Sequence, residues 1–150
     1  MPLQVLAPVS GQLSSLENAP DPIFSMGAVG WGVVIEPARE PGTIVAPVDG
    51  IIERIKPHVF SIACEGFAVM VQVGIGGEST DGRGYELHKQ LGDTVSTGEP
   101  IVSWDPAALE AAGVTPMVLV IAIDRDEFSL SKVRSSGSIA VGDVAFVIPK

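Results

Sequence analysis

The sequence predicts an all-β chain: an antiparallel β-sandwich or barrel of repeated hairpins, with one short helix near residues 105–112. Three observations lead there. Seventeen Gly and twelve Pro cut the 150 residues into short segments. Many of those segments are rich in Val and Ile, which suit a pleated, half-buried surface. Two sequence echoes then indicate a duplicated hairpin unit: A-P-V-x-G occurs at Ala7 and again at Ala46, and an apolar-x-x-Gly pattern occurs at Val95 and again at Ile139.

Taken in order, the strand-like runs are "TIVAPV" from Thr43, "GIIERI" from Gly50, "VFSIAC" from Val59, "FAVMVQV" from Phe67, "PIVSW" from Pro100, "MVLVIAI" from Met117 and "VAFVIP" from Val144. Each is bounded by turn-forming residues. The helix is signalled by Asp105 as N-cap, Pro106 at the first helical position and Gly113 just beyond the end. Gly98 and Gly142 fall where a hairpin turn requires positive φ.

A chain of this length with 46% hydrophobic residues is read as one domain, 1–150, able to bury a core. Nine basic against eighteen acidic residues leave a net charge of −9. That field repels phosphate backbones and anionic lipid, so neither nucleic acid nor direct membrane insertion is expected. The longest apolar run, Val118 to Ile123, is far short of the roughly 20 residues a bilayer helix needs. "MPLQVLAP" has no basic segment followed by a long apolar one, so no signal peptide is read. A single cysteine, Cys64, cannot form an internal disulfide and sits in a strand-like run as a small core residue, in keeping with a reducing cytoplasm.

The stretch "VMVQVGI" from Val69 places one amide, Gln72, inside an otherwise apolar strand. Buried polar side chains are normally hydrogen-bonded, so its plain reading is a satisfied amide bonded to His58 or to backbone. The remaining chemistry-bearing residues are few. His58 and His88 fall below the three protein ligands of a catalytic zinc site, so no metal is expected. There is no G-x-S-x-G, no phosphate-binding glycine loop and no metal-spaced cysteine cluster. Lys56, Lys89, Lys132 and Lys150 lack the Met-flanked hairpin setting of a biotinyl or lipoyl carrier, so no cofactor is expected either. His88, in "YELHKQL", reads as a solvated histidine.

Along nearly its whole length the sequence resembles the glucose-type IIA component (EIIA type 1) of the bacterial phosphoenolpyruvate-dependent sugar phosphotransferase system. "APVSGQLSSLENAPDPIFSMGAVGWGVVIEP" is similar to that family's opening segments, "IVAPVDGII" to its next strand and "HVFSI" to a histidine strand. "GDTVSTGEPIV", "DPAALE", "VTPMVLV" and "GSIAVGDVAFVI" follow in family order. The resemblance implies an antiparallel β-sandwich with a shallow active face. It also implies a phosphoryl relay from the small carrier HPr, through a histidine, to the IIB component of a sugar permease.

On this sequence the family's stabilising partner histidine falls on His58, and its acceptor histidine falls on Gln72. The family's acidic residue and threonine just beyond fall on Gly76 and Gly77, and Glu78-Ser79-Thr80 depart from its pattern as well. A neutral imidazole with a pKa near 6.5 has an in-plane lone pair suited to taking and releasing a phosphoryl group. An amide nitrogen has its lone pair delocalised into the carbonyl and is not a nucleophile. The expectation is therefore a homologue in sugar uptake and its regulation that cannot carry phosphate on Gln72 and serves as a docking or regulatory protein. The alternative is a working phosphocarrier that uses His58. Phe24 and Met70 fall on apolar positions of the family's docking patch. Trp31 stands between two glycines where the family more often has an acidic residue, which would make that patch more apolar.

Overall fold

The computed structural model describes residues 2–149. The strands are β1 (Leu3–Leu6), β2 (Gly11–Ser15), β3 (Gly30–Glu36), β4 (Gly42–Val45), β5 (Gly50–Lys56), β6 (Val59–Cys64), β7 (Phe67–Ile75), β8 (Tyr85–Leu87), β9 (Thr94–Val95), β10 (Pro100–Trp104), β11 (Thr115–Ile123), β12 (Ser138–Ile139) and β13 (Val144–Ile148). Two short helices interrupt them: α1 (Pro22–Ser25) and α2 (Pro106–Ala111). All seven strand-like runs became strands, and the predicted helix is α2. Its start is fixed as the sequence requires, with the Asp105 side chain accepting from the Ala108 amide at 3.2 Å and Pro106 leading the helix.

The strands form an antiparallel sandwich. A large sheet has the order β12-β2-β3-β11-β7-β6-β5-β9, and smaller sheets β4-β10-β8 and β1-β13 complete the other layer. The main core lies between the layers: Val33, Val71, Val120 and Ile62 from the large sheet meet Ile44, Ile101 and Phe146 from the small ones. Fully burying one such side chain contributes about 1.5–3 kcal/mol. The opposite face of the large sheet carries a second apolar cluster, Val34, Leu119, Ile121, Met70 and Val59, covered by Leu16, Ala19 and Phe24 from the segment around α1.

The repeated motifs are a real two-fold echo in the backbone. Leu6 N donates to Pro47 O and Val45 N donates to Pro8 O, both at 3.0 Å, so the two A-P-V corners bind each other reciprocally. Each corner also grips a glycine turn. Ala7 N donates to Asp143 O and Gly142 N to Ala7 O, while Ala46 N donates to Glu99 O and Gly98 N to Ala46 O. Both glycines have the left-handed backbone expected of them, φ 90° at Gly142 and φ 88° at Gly98. The strand pairs follow the same echo, with β1 on β13 matching β4 on β10. In the first pair Leu3 stands opposite Ile148.

Six strands, β1, β2, β3, β8, β9 and β12, and the helix α1 lie outside the seven strand-like runs. β2, "GQLSS", needs only Leu13 on the core side, so a single buried residue suffices. In β3, Gly30 and Gly32 lie so close to the β11 carbonyls of Ala122 and Val120 that a Cβ at either would overlap them. α1 is one turn long, set by Asp21 accepting from Ile23 N at 3.0 Å and by Pro22 at its start.

Candidate functional site

Strand alternation fixes which way Gln72 points. Val69, Val71 and Val73 face the main core, so Met70 and Gln72 face the second apolar cluster. Across the sheet, Val59, Gln72, Leu119 and Val34 form one row. The amide is therefore flanked by apolar neighbours and only 8% exposed. It answers that setting within its own strand, with Gln72 Nε2 donating to Gly74 O at 2.9 Å. A buried amide without such a partner would cost roughly 1–3 kcal/mol.

His58 ends the tight turn between β5 and β6, and Val73 N donates to its carbonyl at 2.7 Å. The turn thus brings His58 beside Val73 and Val59 opposite Gln72, so the turn residue 58 and strand position 72 lie at one end of the β6–β7 pair. No hydrogen bond joins the two side chains among the described residues. The Gln72 amide goes to Gly74, whereas His58 Nε2 lies 3.8 Å from Glu78 Oε2. The imidazole is largely covered, with 15% of its side chain exposed, and Glu78 is mostly in solvent. Burial holds the His58 pKa below 6.5; Glu78 pulls the other way, and Lys56 and Arg54 add to the lowering. Near neutral pH His58 is neutral, and its contact with Glu78 is an ion pair only after protonation.

Tyr85, the single tyrosine of the chain, completes this corner. Its hydroxyl donates to Val73 O at 2.7 Å, and burial, then Glu78, pushes its pKa up to about 12. The same hydroxyl lies where a side chain at 77 would begin. A Cβ on Gly77 would overlap it and would stand 2.7 Å from His58 Cβ. Gly77 is buried and opens the 3-10 turn Gly77–Thr80, which carries Glu78.

The sequence-assigned apolar residues surround the second cluster at different depths. Met70 is 6% exposed and lies under the patch, packed with Val34 and Leu119, while Phe24 and Trp31 are half-buried at its rim. The exposed part is α1 and the residue that caps it, with Ile23 at 58% and Met26 at 81%. Sequence reasoning missed these two, although both flank Phe24. It also missed Tyr85 and Glu78; the clue was the pair Gly76-Gly77, two positions without side chains just ahead of the lone tyrosine. His88 is exposed as expected, its Nε2 2.7 Å from Ser103 Oγ. Cys64 is buried. No group of three or more His, Cys, Asp or Glu that could hold a metal is found among the described residues.

The family described as phosphoenolpyruvate-dependent sugar phosphotransferase system, EIIA 1, matches residues 3–128. The chain belongs to that family. Among its relatives, a PTS system glucose-specific EIIA component of Haemophilus influenzae is 33% identical over 144 residues, covering 94% of this chain and 85% of that protein. One of Oceanobacillus iheyensis is 30% identical over 123 residues, covering 78% of this chain and 73% of the relative. A PTS system beta-glucoside-specific EIIBCA component of Bacillus subtilis is 32% identical over 136 residues. This EIIA chain spans 22% of that longer protein, and 19% of a glucose-specific EIICBA component of Streptococcus pneumoniae. The solved structure of glucose permease IIA from Mycoplasma capricolum superposes with a TM-score of 0.89 over 99% of this chain and 97% of that one, at 24% identity. The fold is the EIIA β-sandwich. No helix among the described residues is long and apolar enough to cross a membrane.

Proposed function

We propose that this EIIA chain takes part in sugar uptake or its regulation as a docking protein that does not carry phosphate at Gln72. The observation that carries this reading is the state of that amide: buried in an apolar row, donating to Gly74 O, and without a nucleophilic lone pair. The nearby imidazole is a poor substitute. His58 Nε2, the atom that would receive a phosphoryl group, faces the Glu78 carboxylate at 3.8 Å, and the like charge of an incoming phosphate would be repelled there. The partners are an HPr-like phosphocarrier, as the family resemblance implies, and the IIB or permease portion of the system, as the composite names of the Bacillus and Streptococcus relatives suggest. The cytoplasm is the compartment in which such partners would be met. Docking uses the apolar rim of Phe24 and Trp31 with Ile23 of α1 and Met26 just beyond it. The relatives are named for different sugars, so no sugar is assigned.

The test is incubation with phosphoenolpyruvate, enzyme I and HPr, read by intact-protein mass spectrometry. The expected result is no phosphoryl adduct, together with measurable calorimetric binding to HPr or a IIB domain. An adduct that disappears in His58→Ala would overturn the reading and establish His58 as a carrier.

A further inference from the structure

A second site lies behind the turn that carries Glu78. α2 and the segment 79–84 border an open surface pocket of about 310 Å³, with Thr80 and Leu109 buried beneath it and Arg83, Gly84, Ala108 and Ala112 exposed around it. Its floor is Leu109, which is 2% exposed, and one wall is Ala108 and Ala112, a helical turn apart. Gly84, with φ +89°, closes against the same leucine; a Cβ there would sit 2.8 Å from Leu109 Cδ2. The polar contribution is concentrated at one edge. Arg83 Nε donates to Thr80 O at 3.1 Å, which fixes the guanidinium beside the pocket. Its two terminal nitrogens make no hydrogen bond or ion pair among the described residues. Arg39 and Lys89, by contrast, are each held by carboxylates.

We infer that this pocket binds a small organic carboxylate, with an aromatic or branched apolar body resting on Leu109 and its carboxylate on Arg83. Size and charge narrow the class. Ligand cavities run from about 300 to 1,000 Å³, so this one is at the small end and has room for a single ring or short branched chain. A guanidinium presents parallel N–H groups that match a carboxylate bidentately. One arginine in a chain of net charge −9 is poorly matched to a nucleotide or a diphosphate, whose several charges would meet that field with a single counter-charge. Nothing in this inference depends on whether Gln72 or His58 carries phosphate.

The test is a ¹H–¹⁵N NMR titration of the full chain with benzoate, alongside benzyl alcohol (the ring without the charge) and acetate (the charge without the ring). The expected result is saturable benzoate shifts centred on residues 79–84 and 108–112. Arg83→Gln weakens benzoate about tenfold or more, as loss of a charge-assisted hydrogen bond does. Ala108→Leu, which fills the pocket and keeps a good helix former, removes binding while amide dispersion stays native. The inference is overturned if benzoate does not saturate, if its shifts centre elsewhere, if benzyl alcohol or acetate binds as tightly, or if Arg83→Gln leaves the affinity unchanged.

Discussion

The Tyr85 hydroxyl occupies the space that any side chain at position 77 would need, and from there it donates to the Val73 carbonyl at 2.7 Å. Gly77 and Tyr85 are thus one packing decision made at two positions, beside the His58 carbonyl that accepts from Val73 N.

Gly77→Ala is expected to destabilise the fold by about 1–3 kcal/mol, the usual range for forcing a methyl into a filled site. Tyr85→Phe removes a hydrogen bond and should cost about 1 kcal/mol. Because Phe lacks the overlapping oxygen, the double variant should lose less than the sum of the two. Urea denaturation of the four proteins gives the cycle, and strict additivity would show that the two positions are independent.

The depressed pKa of His58 has a definite sign in stability. The unfolded chain binds a proton at His58 near pH 6.5, whereas the folded chain does so only at lower pH. The unfolded state therefore holds more protons between the folded pKa and 6.5, and stability falls as pH drops through that window. His58→Asn should flatten the fall. In NMR titrations Glu78→Gln should lower the His58 midpoint further and Lys56→Gln should raise it, since the first removes an attraction and the second a repulsion. A His58 midpoint above 6.5 would contradict this account.

The two glycine turns should answer alike. Gly98→Ala and Gly142→Ala each place a Cβ at φ near +90° with no neighbour within 4 Å, so the cost is purely conformational, about 1–2 kcal/mol. Equal losses in denaturation experiments are expected from the matched hydrogen bonds around Ala46 and Ala7; a large difference would mean that the backbone echo is not matched in energy.

On the apolar rim, Ile23→Ser and Met26→Ser alter side chains already mostly in water, so folding stability should change by no more than about 0.5 kcal/mol. If this rim is the docking surface, the pair should weaken binding to HPr or a IIB domain about tenfold or more. Calorimetry with wild-type affinity retained would remove the rim from the proposal.

Much of this was legible before any coordinates. The seven strand-like runs, the helix at Asp105 and the placing of Gln72 inside an apolar strand could all be read from residues alone, whereas the face that the amide takes and the turn at Pro57-His58 became visible only in the folded chain. The partner of Gln72 was less accessible. The amide could reach His58 or backbone, and the choice of the Gly74 carbonyl depends on a positive-φ glycine, φ 88°, that bends the end of β7. The Tyr85–Gly77 contact was hidden for another reason. It joins a turn to a separate short strand, and neither local propensity nor periodicity reports on contacts between irregular segments. β2 escaped because one inward leucine is too little apolar signal, although it pairs with β3 along its length.

The pairing of Leu3 with Ile148 has a practical meaning for protein engineering. Residues 3 and 148 share one doorstep, so a short bridge could splice β1 to β13 and the chain could be opened instead at the exposed stretch near Gly92, away from the two A-P-V corners.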